Sequence, residues 1–171
     1  YKSRKDYDKA FEYFEKSLAM SLKHKIPNVE MEPNFLLGKL YLEQKQHEKA
    51  RLYLEKIITE MREANLLQKT GIDIFPAMVD LYTSLNNPEL AIFYGKQEVN
   101  LYQNVRTNIK DFDKDTQLSF LKDKEPAYRK LADLLILEGR FAEAQAVLDL
   151  LKEEEFRNYT VRRSGESPDT I

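Results

Sequence analysis

Apolar side chains recur at helical spacing along most of this chain, and breaks in the rhythm divide it into short helices. The clearest stretch is residues 128–151, YRKLADLLILEGRFAEAQAVLDLL, where Tyr128, Leu131, Ala132 and Leu135 share one face and Ala144, Leu148 and Leu151 share another. Gly139 stands between them and predicts a tight turn, because glycine takes the left-handed helix-ending conformation without strain. Upstream, residues 6–25 predict an amphipathic helix faced by Tyr7, Ala10, Phe11, Phe14 and Leu18. Pro27 and Asn28 interrupt it. The next helix spans about 31–44 and carries Phe35, Leu37, Gly38, Leu40 and Tyr41. After a turn at 45–47, another runs from 48 to about 64, with Ala50, Leu54 and Ile57 on its face. Thr70-Gly71 opens a segment marked by Phe75, Met78, Val79 and Tyr82, and Pro76 inside it predicts a late start or a kink. Asn87-Pro88-Glu89 reads as an N-cap followed by proline at the first helical position. The helix it opens carries Leu90, Ala91 and Tyr94 and continues through Val99, Tyr102 and Val105.

Small residues fall where two helix backbones have to approach. Ala132 and Ala144 are such positions, and a bulky side chain there would overpack the contact by roughly 1–3 kcal/mol. The alanines also set a period: Ala10 to Ala50 is 40 residues, Ala50 to Ala91 is 41, and Ala91 to Ala144 is 53. The longer last interval places an insertion at 109–122, still apolar at Leu118, Phe120 and Leu121.

Leu37-Gly38-x-x-Tyr41 followed by Ala50, and the large–small–large order of 128–151, resemble the tetratricopeptide repeat, a helix-turn-helix unit of about 34 residues. Asn34 departs from the aromatic expected at the head of that motif, and Val79 replaces a small residue in the third unit. The resemblance implies an all-α fold, a right-handed α-α superhelix of antiparallel helix pairs with about three and a half lengthened repeats. A half repeat would occupy 5–25, full repeats 29–64, 70–108 and 123–157, and a linker 164–171 would follow a helical domain spanning 1–163. The first helix of the opening repeat is missing in this frame, so an exposed aromatic patch is expected at the N-terminus, and any dimer is expected to form through the exposed N-terminal helix 6–25.

By the same resemblance, the first helices of the repeats line a concave groove for a peptide or protein partner. The groove-facing positions are Phe35, Lys39 and Leu42, then Asp80 and Thr83, then Arg129, Asp133 and Ile136. Relatives that bind chaperones clamp a terminal carboxylate with Lys at the first of these positions. Phe35 stands there instead, which disfavours that ligand.

The last third, SFLKDKEPAYRKLADLLILEGRFAEAQAVLDLLKEEEFRNYTVRR, is similar to the helical segment that precedes the caspase-like CHAT protease domain in bacterial proteins. The matching features are LADLLILEGR, AEAQAVLDLLKEEEF and the closing Arg162-Arg163. This implies a regulatory arm whose protease lies elsewhere in a longer protein. A start at Tyr1 rather than Met, and a closing SGESPDTI of linker composition, carry the same expectation.

Composition changes this picture little. Five glycines and six prolines leave few turns for a sheet. Lys and Arg total 27 against 29 Asp and Glu, so no strong field draws the chain to nucleic acid or to an anionic membrane. No apolar run approaches the ~20 residues of a membrane span. No Cys is present, which excludes thiol catalysis and disulfides within these residues and fits the reducing cytoplasm.

Site motifs are weak. Asp111-x-Asp113-x-Asp115 imitates a calcium loop, but Thr116 stands where glycine is needed and Lys122 where a bidentate Glu is needed. His47-Glu48-x-x-Arg51 lacks the second His of the zinc protease motif. Asn158-Tyr159-Thr160 forms a glycosylation sequon without a secretion signal beside it. Glu153-Glu154-Glu155 reads as a solvated helix end. The basic clusters are interleaved with acids and offer no continuous nucleic-acid face. No nucleophile, base and orienter stand out together. The expectation is a non-enzymatic interaction scaffold without metal or cofactor. The alternative is a structural spacer or self-association module with no peptide ligand.

Overall fold

The computed structural model describes residues 4–24, 31–64, 66, 73–109 and 124–163. Among them are seven helices and no strand: α1 Arg4–His24, α2 Met31–Glu43, α3 His47–Glu63, α4 Ile74–Ser84, α5 Pro88–Ile109, α6 Glu125–Leu137 and α7 Phe141–Arg163. The chain is all-α, as expected, and its hairpins are tetratricopeptide-like. The opening Thr70-Gly71, residues 110–122 of the insertion with its calcium-like aspartates, and the linker at 164–171 lie outside the described residues.

The helices sort into two compact units, residues 1–87 and 88–171. In the first, α2 and α3 form an antiparallel hairpin, α1 lies against α2, and α4 lies against α3 and α2. In the second, α6 and α7 form a hairpin with α5 against α6. The division falls between α4 and α5, inside the span 70–108 that the sequence assigned to one repeat.

One corner recurs at the ends of α2, α4 and α6. Each helix is followed by three residues before the next begins, and the middle one is left-handed: Lys45 at φ 59°, Asn86 at φ 53° and Gly139 at φ 69°. The amide after it donates back to the carbonyl five residues earlier, Gln46 to Tyr41 at 2.9 Å, Asn87 to Tyr82 at 2.9 Å and Arg140 to Leu135 at 2.8 Å. The left-handed residue itself donates to Leu42, Thr83 and Ile136, which completes the Schellman motif at each site. Ala50, Ala91 and Ala144 each lie five residues beyond that left-handed residue, and all three are buried. The spacing that the alanines display is therefore the spacing of the corners.

The small positions are buried as the pattern requires, Gly38 and Ala132 included. A Cβ added to Gly38 would stand 2.6 Å from Leu54 Cδ2 and 2.7 Å from Leu54 Cγ, so α2 and α3 meet there at a distance only glycine allows. Asn34 is buried in place of the expected aromatic, and its side-chain nitrogen has no hydrogen-bond partner. Pro76 sits third in α4, where its missing N–H costs little, so the late start is observed and no kink is needed. His47 belongs to α3, one residue outside the turn in which the sequence placed it.

On α1, no described side chain is fully buried. Phe11 meets Tyr41 at a ring separation of 4.7 Å, and Tyr41 stacks on Tyr53 at 5.5 Å. Tyr13 is 71% exposed and Met20 is 63% exposed. The exposed residues thus lie beside the predicted face of Ala10, Phe11, Phe14 and Leu18, which is half-covered.

Candidate functional site

Leu42, Pro76 and Ala77 put apolar surface between α2 and α4 in the first unit, and charged residues surround it. The result is an open cleft of about 350 Å³ lined by Lys39, Leu42 and Glu43 of α2 and by Asp73, Pro76, Ala77 and Asp80 at the start of and along α4. The helical phases explain the set. Lys39, Leu42 and Glu43 share one side of the last turns of α2, and Asp73, Pro76, Ala77 and Asp80 follow the i, i+3, i+4, i+7 row of one helix face.

Three of the sequence-predicted groove residues, Lys39, Leu42 and Asp80, therefore come together. Phe35 is half-buried one turn before Lys39, and the Lys39 ammonium lies over its ring at 5.3 Å. Thr83 does not line the cleft, and its hydroxyl donates to the Val79 carbonyl at 2.7 Å. Glu43, Asp73, Pro76 and Ala77 were missed by the sequence reading. Their signal was present, since each lies close in sequence and helical phase to a predicted position, but nothing in the pattern says how wide a groove is.

The remaining predicted residues, Arg129, Asp133 and Ile136, belong to the second unit and lie on α6, where Asp133 and Ile136 are exposed. Arg129 is engaged by the protein itself. Its Nε donates to Glu125 at 2.7 Å and a terminal nitrogen lies 3.7 Å from Glu155 on α7. The bond to Glu125 raises the guanidinium above its ordinary value, and Glu155 and Asp133 add to the effect. A ligand carboxylate at Arg129 would have to displace these partners.

Two polar clusters in the second unit hold its helices in register. Arg140 grips Glu143 with two bonds, 2.6 and 2.8 Å long, and Lys96 of α5 donates to the same carboxylate. These partners, Arg140 first, hold the Glu143 carboxyl down at about 2. The second cluster corrects the reading of Glu153-Glu154-Glu155 as a solvated end. Glu154 is only 2% exposed, where it pairs with Arg106 of α5 and accepts from Gln103 at 3.2 Å. Gln103 also donates to the Tyr128 hydroxyl at 2.7 Å, so α5, α6 and α7 share the network. Burial pushes the Tyr128 hydroxyl above its ordinary value, against the opposing effects of Gln103 and Arg106.

Among the described residues, no group of three or more His, Cys, Asp or Glu side chains is placed to hold a metal ion. Arg51, which stands where the zinc motif needs its second His, pairs with Glu48 at 2.7 Å. None of the described helices is long and apolar enough to cross a membrane.

Comparison with known proteins fits the first unit. Residues 1–24 and 32–60 match the tetratricopeptide repeat family, which takes in most of α1, α2 and α3 with their corner at Lys45. No curated protein and no solved structure matches the chain. The matched stretch holds Lys39, Leu42 and Glu43 of the candidate cleft, on a repeat type whose general role is to bind other proteins.

Proposed function

We propose that this chain is a non-catalytic scaffold that takes a peptide or protein partner, with Phe35, Lys39, Leu42, Asp80 and Thr83 as the groove positions of the first unit and Arg129, Asp133 and Ile136 as those of the second. The cleft between α2 and α4 carries the proposal, because it joins apolar floor to charged rim on the helices that present ligands in this repeat type. The similarity of residues 119–163 to the segment before the CHAT domain supports a finer reading, a sensing arm of a bacterial, cytoplasmic protein with a caspase-like protease. Peptides selected on the chain from a random decapeptide library provide the test. Their affinity for the Lys39→Glu and Arg129→Glu variants should differ several-fold from that for the parent. Unchanged affinity in Lys39→Glu would remove the groove assignment.

The second reading is a spacer that self-associates through α1. Exposed Tyr13 and Met20 favour it. Light scattering over a range of concentrations would show a dimer, and Tyr13→Ser with Met20→Ser would abolish it. A monomer at every concentration eliminates this reading.

A further inference from the structure

The sign of charge around the cleft narrows what can occupy it. Its lining carries one cation, Lys39, and three carboxylates, Glu43, Asp73 and Asp80, so the sum is 1 − 3 = −2. Helix poles do not change that sign. The C-terminal pole of α2 at Glu43 and the N-terminal pole of α4 at Asp73 both reach the cleft and offset one another. Asp73 does not cap its helix with its side chain, so its carboxylate is not committed to the first-turn amides. Glu43 stands at the negative end of α2, with no basic residue in that last turn, an arrangement that works against helix stability. Glu43 and Asp80 also interact within the protein, yet neither is buried. The ammonium of Lys39 lies over the Phe35 ring, one turn back along α2 from Glu43. Leu42, Pro76 and Ala77 leave an apolar floor between these charges.

We infer that the occupant of the cleft is a basic segment of a partner protein, presenting a Lys or Arg side chain to the carboxylates beside a small apolar residue that rests on Leu42, Pro76 and Ala77. This rests on the groove reading and adds the chemical class of the partner. An acidic segment would face three carboxylates across a low-dielectric floor with one lysine to offset them.

The test is selection of a random decapeptide library on three proteins: the parent chain, the cleft variant Glu43→Gln/Asp73→Asn/Asp80→Asn, and a control of equal charge, Glu63→Gln/Asp149→Asn/Glu153→Gln, altered at positions that do not line the cleft. Lys and Arg should be enriched over Asp and Glu on the parent and on the control, and the enrichment should vanish on the cleft variant. Selected peptides should bind the cleft variant at least about tenfold more weakly, bind the parent less well as salt rises, and bind Lys39→Glu more tightly. Enrichment of acidic peptides, or of uncharged ones, that is lost on the cleft variant would overturn the basic partner while leaving the groove. Peptides enriched equally on all three proteins, or none enriched on any, would overturn both.

Discussion

Adding one methyl group at Gly38 probes the tightest contact in the first unit. The Cβ of alanine there would lie 2.6 Å from Leu54 Cδ2, 2.7 Å from Leu54 Cγ and 3.4 Å from Tyr53 Cβ. Carbon atoms rest at about 3.5–4.0 Å, so two contacts are roughly 1 Å too short. Leu54 is fully buried, and its Cγ is one bond from Cβ, so turning the end of the side chain cannot clear the space. The helices must part instead. Overpacking of this kind costs about 1–3 kcal/mol, and the upper part of that range applies to two such contacts. Alanine returns up to about 1 kcal/mol of helix propensity. The net expectation for Gly38→Ala is a loss of about 1–2 kcal/mol, read from urea unfolding followed by circular dichroism with unchanged denaturant slope. Gly95→Ala is the matched control. Its Cβ would meet Leu131 Cδ1 at 3.0 Å and nothing else closer than 3.6 Å, so one methyl can swing aside and stability should hold or rise by up to about 1 kcal/mol. A double-mutant cycle pairing Gly38→Ala with Leu54→Ala should show favourable coupling between the two substitutions of about 1 kcal/mol or more, because the new methyl fills part of the vacated space. If Gly38→Ala is as stable as the parent, or if Gly95→Ala loses more, the close-approach argument is wrong.

Three further outcomes follow from the same structure. Lys45→Gly and Asn86→Gly should each raise stability, by up to about 1 kcal/mol, while Gly139→Ala should lower it by about as much despite open space around it, all read from the denaturation midpoint. Glu154→Leu removes the buried carboxylate that pairs with half-buried Arg106 and should cost about 3 kcal/mol, the low end for such pairs because Arg106 keeps 21% exposure; Arg106→Leu with Glu154→Leu should recover most of it in the same unfolding assay. The Glu143 carboxyl is held at about 2 against an ordinary 4.5, so it favours the folded state above the ordinary carboxylate range and loses that contribution as pH falls toward about 2. The melting temperatures of the parent and Glu143→Gln should therefore differ most near neutrality and converge in acid, and a gap that is constant with pH would contradict the pairing.

Much of the fold could be read from residue types alone, for reasons that particular positions make plain. Gly139 announces its corner because glycine is suited to the left-handed conformation. Lys45 adopts the same conformation with no such signal, and Asn86 with a weak one, so those corners were visible only through the alanines that follow them. Helix phase puts Lys39 and Leu42 on one side of α2, because the i, i+3, i+4 rule acts within a helix, and the repeat resemblance supplied Asp80 on α4. It could not say that Asp73 and Glu43 reach the same cleft, since that depends on how α2 and α4 are staggered. Glu154 was unreadable inside a run of three glutamates. Its partners Arg106 and Gln103 lie on another helix about 50 residues earlier, and a buried ion pair leaves no local mark on the sequence.

The three corners at Lys45, Asn86 and Gly139 use one hydrogen-bond scheme and one length with quite different side chains. They are in effect spare parts of a common gauge. Grafting Glu138-Gly139-Arg140 in place of Gln44-Lys45-Gln46 should leave the hairpin of α2 and α3 intact, whereas a single extra residue at the same place would throw Ala50 out of phase with Gly38. The tolerance of this chain for change is therefore set at these joints by count rather than by composition.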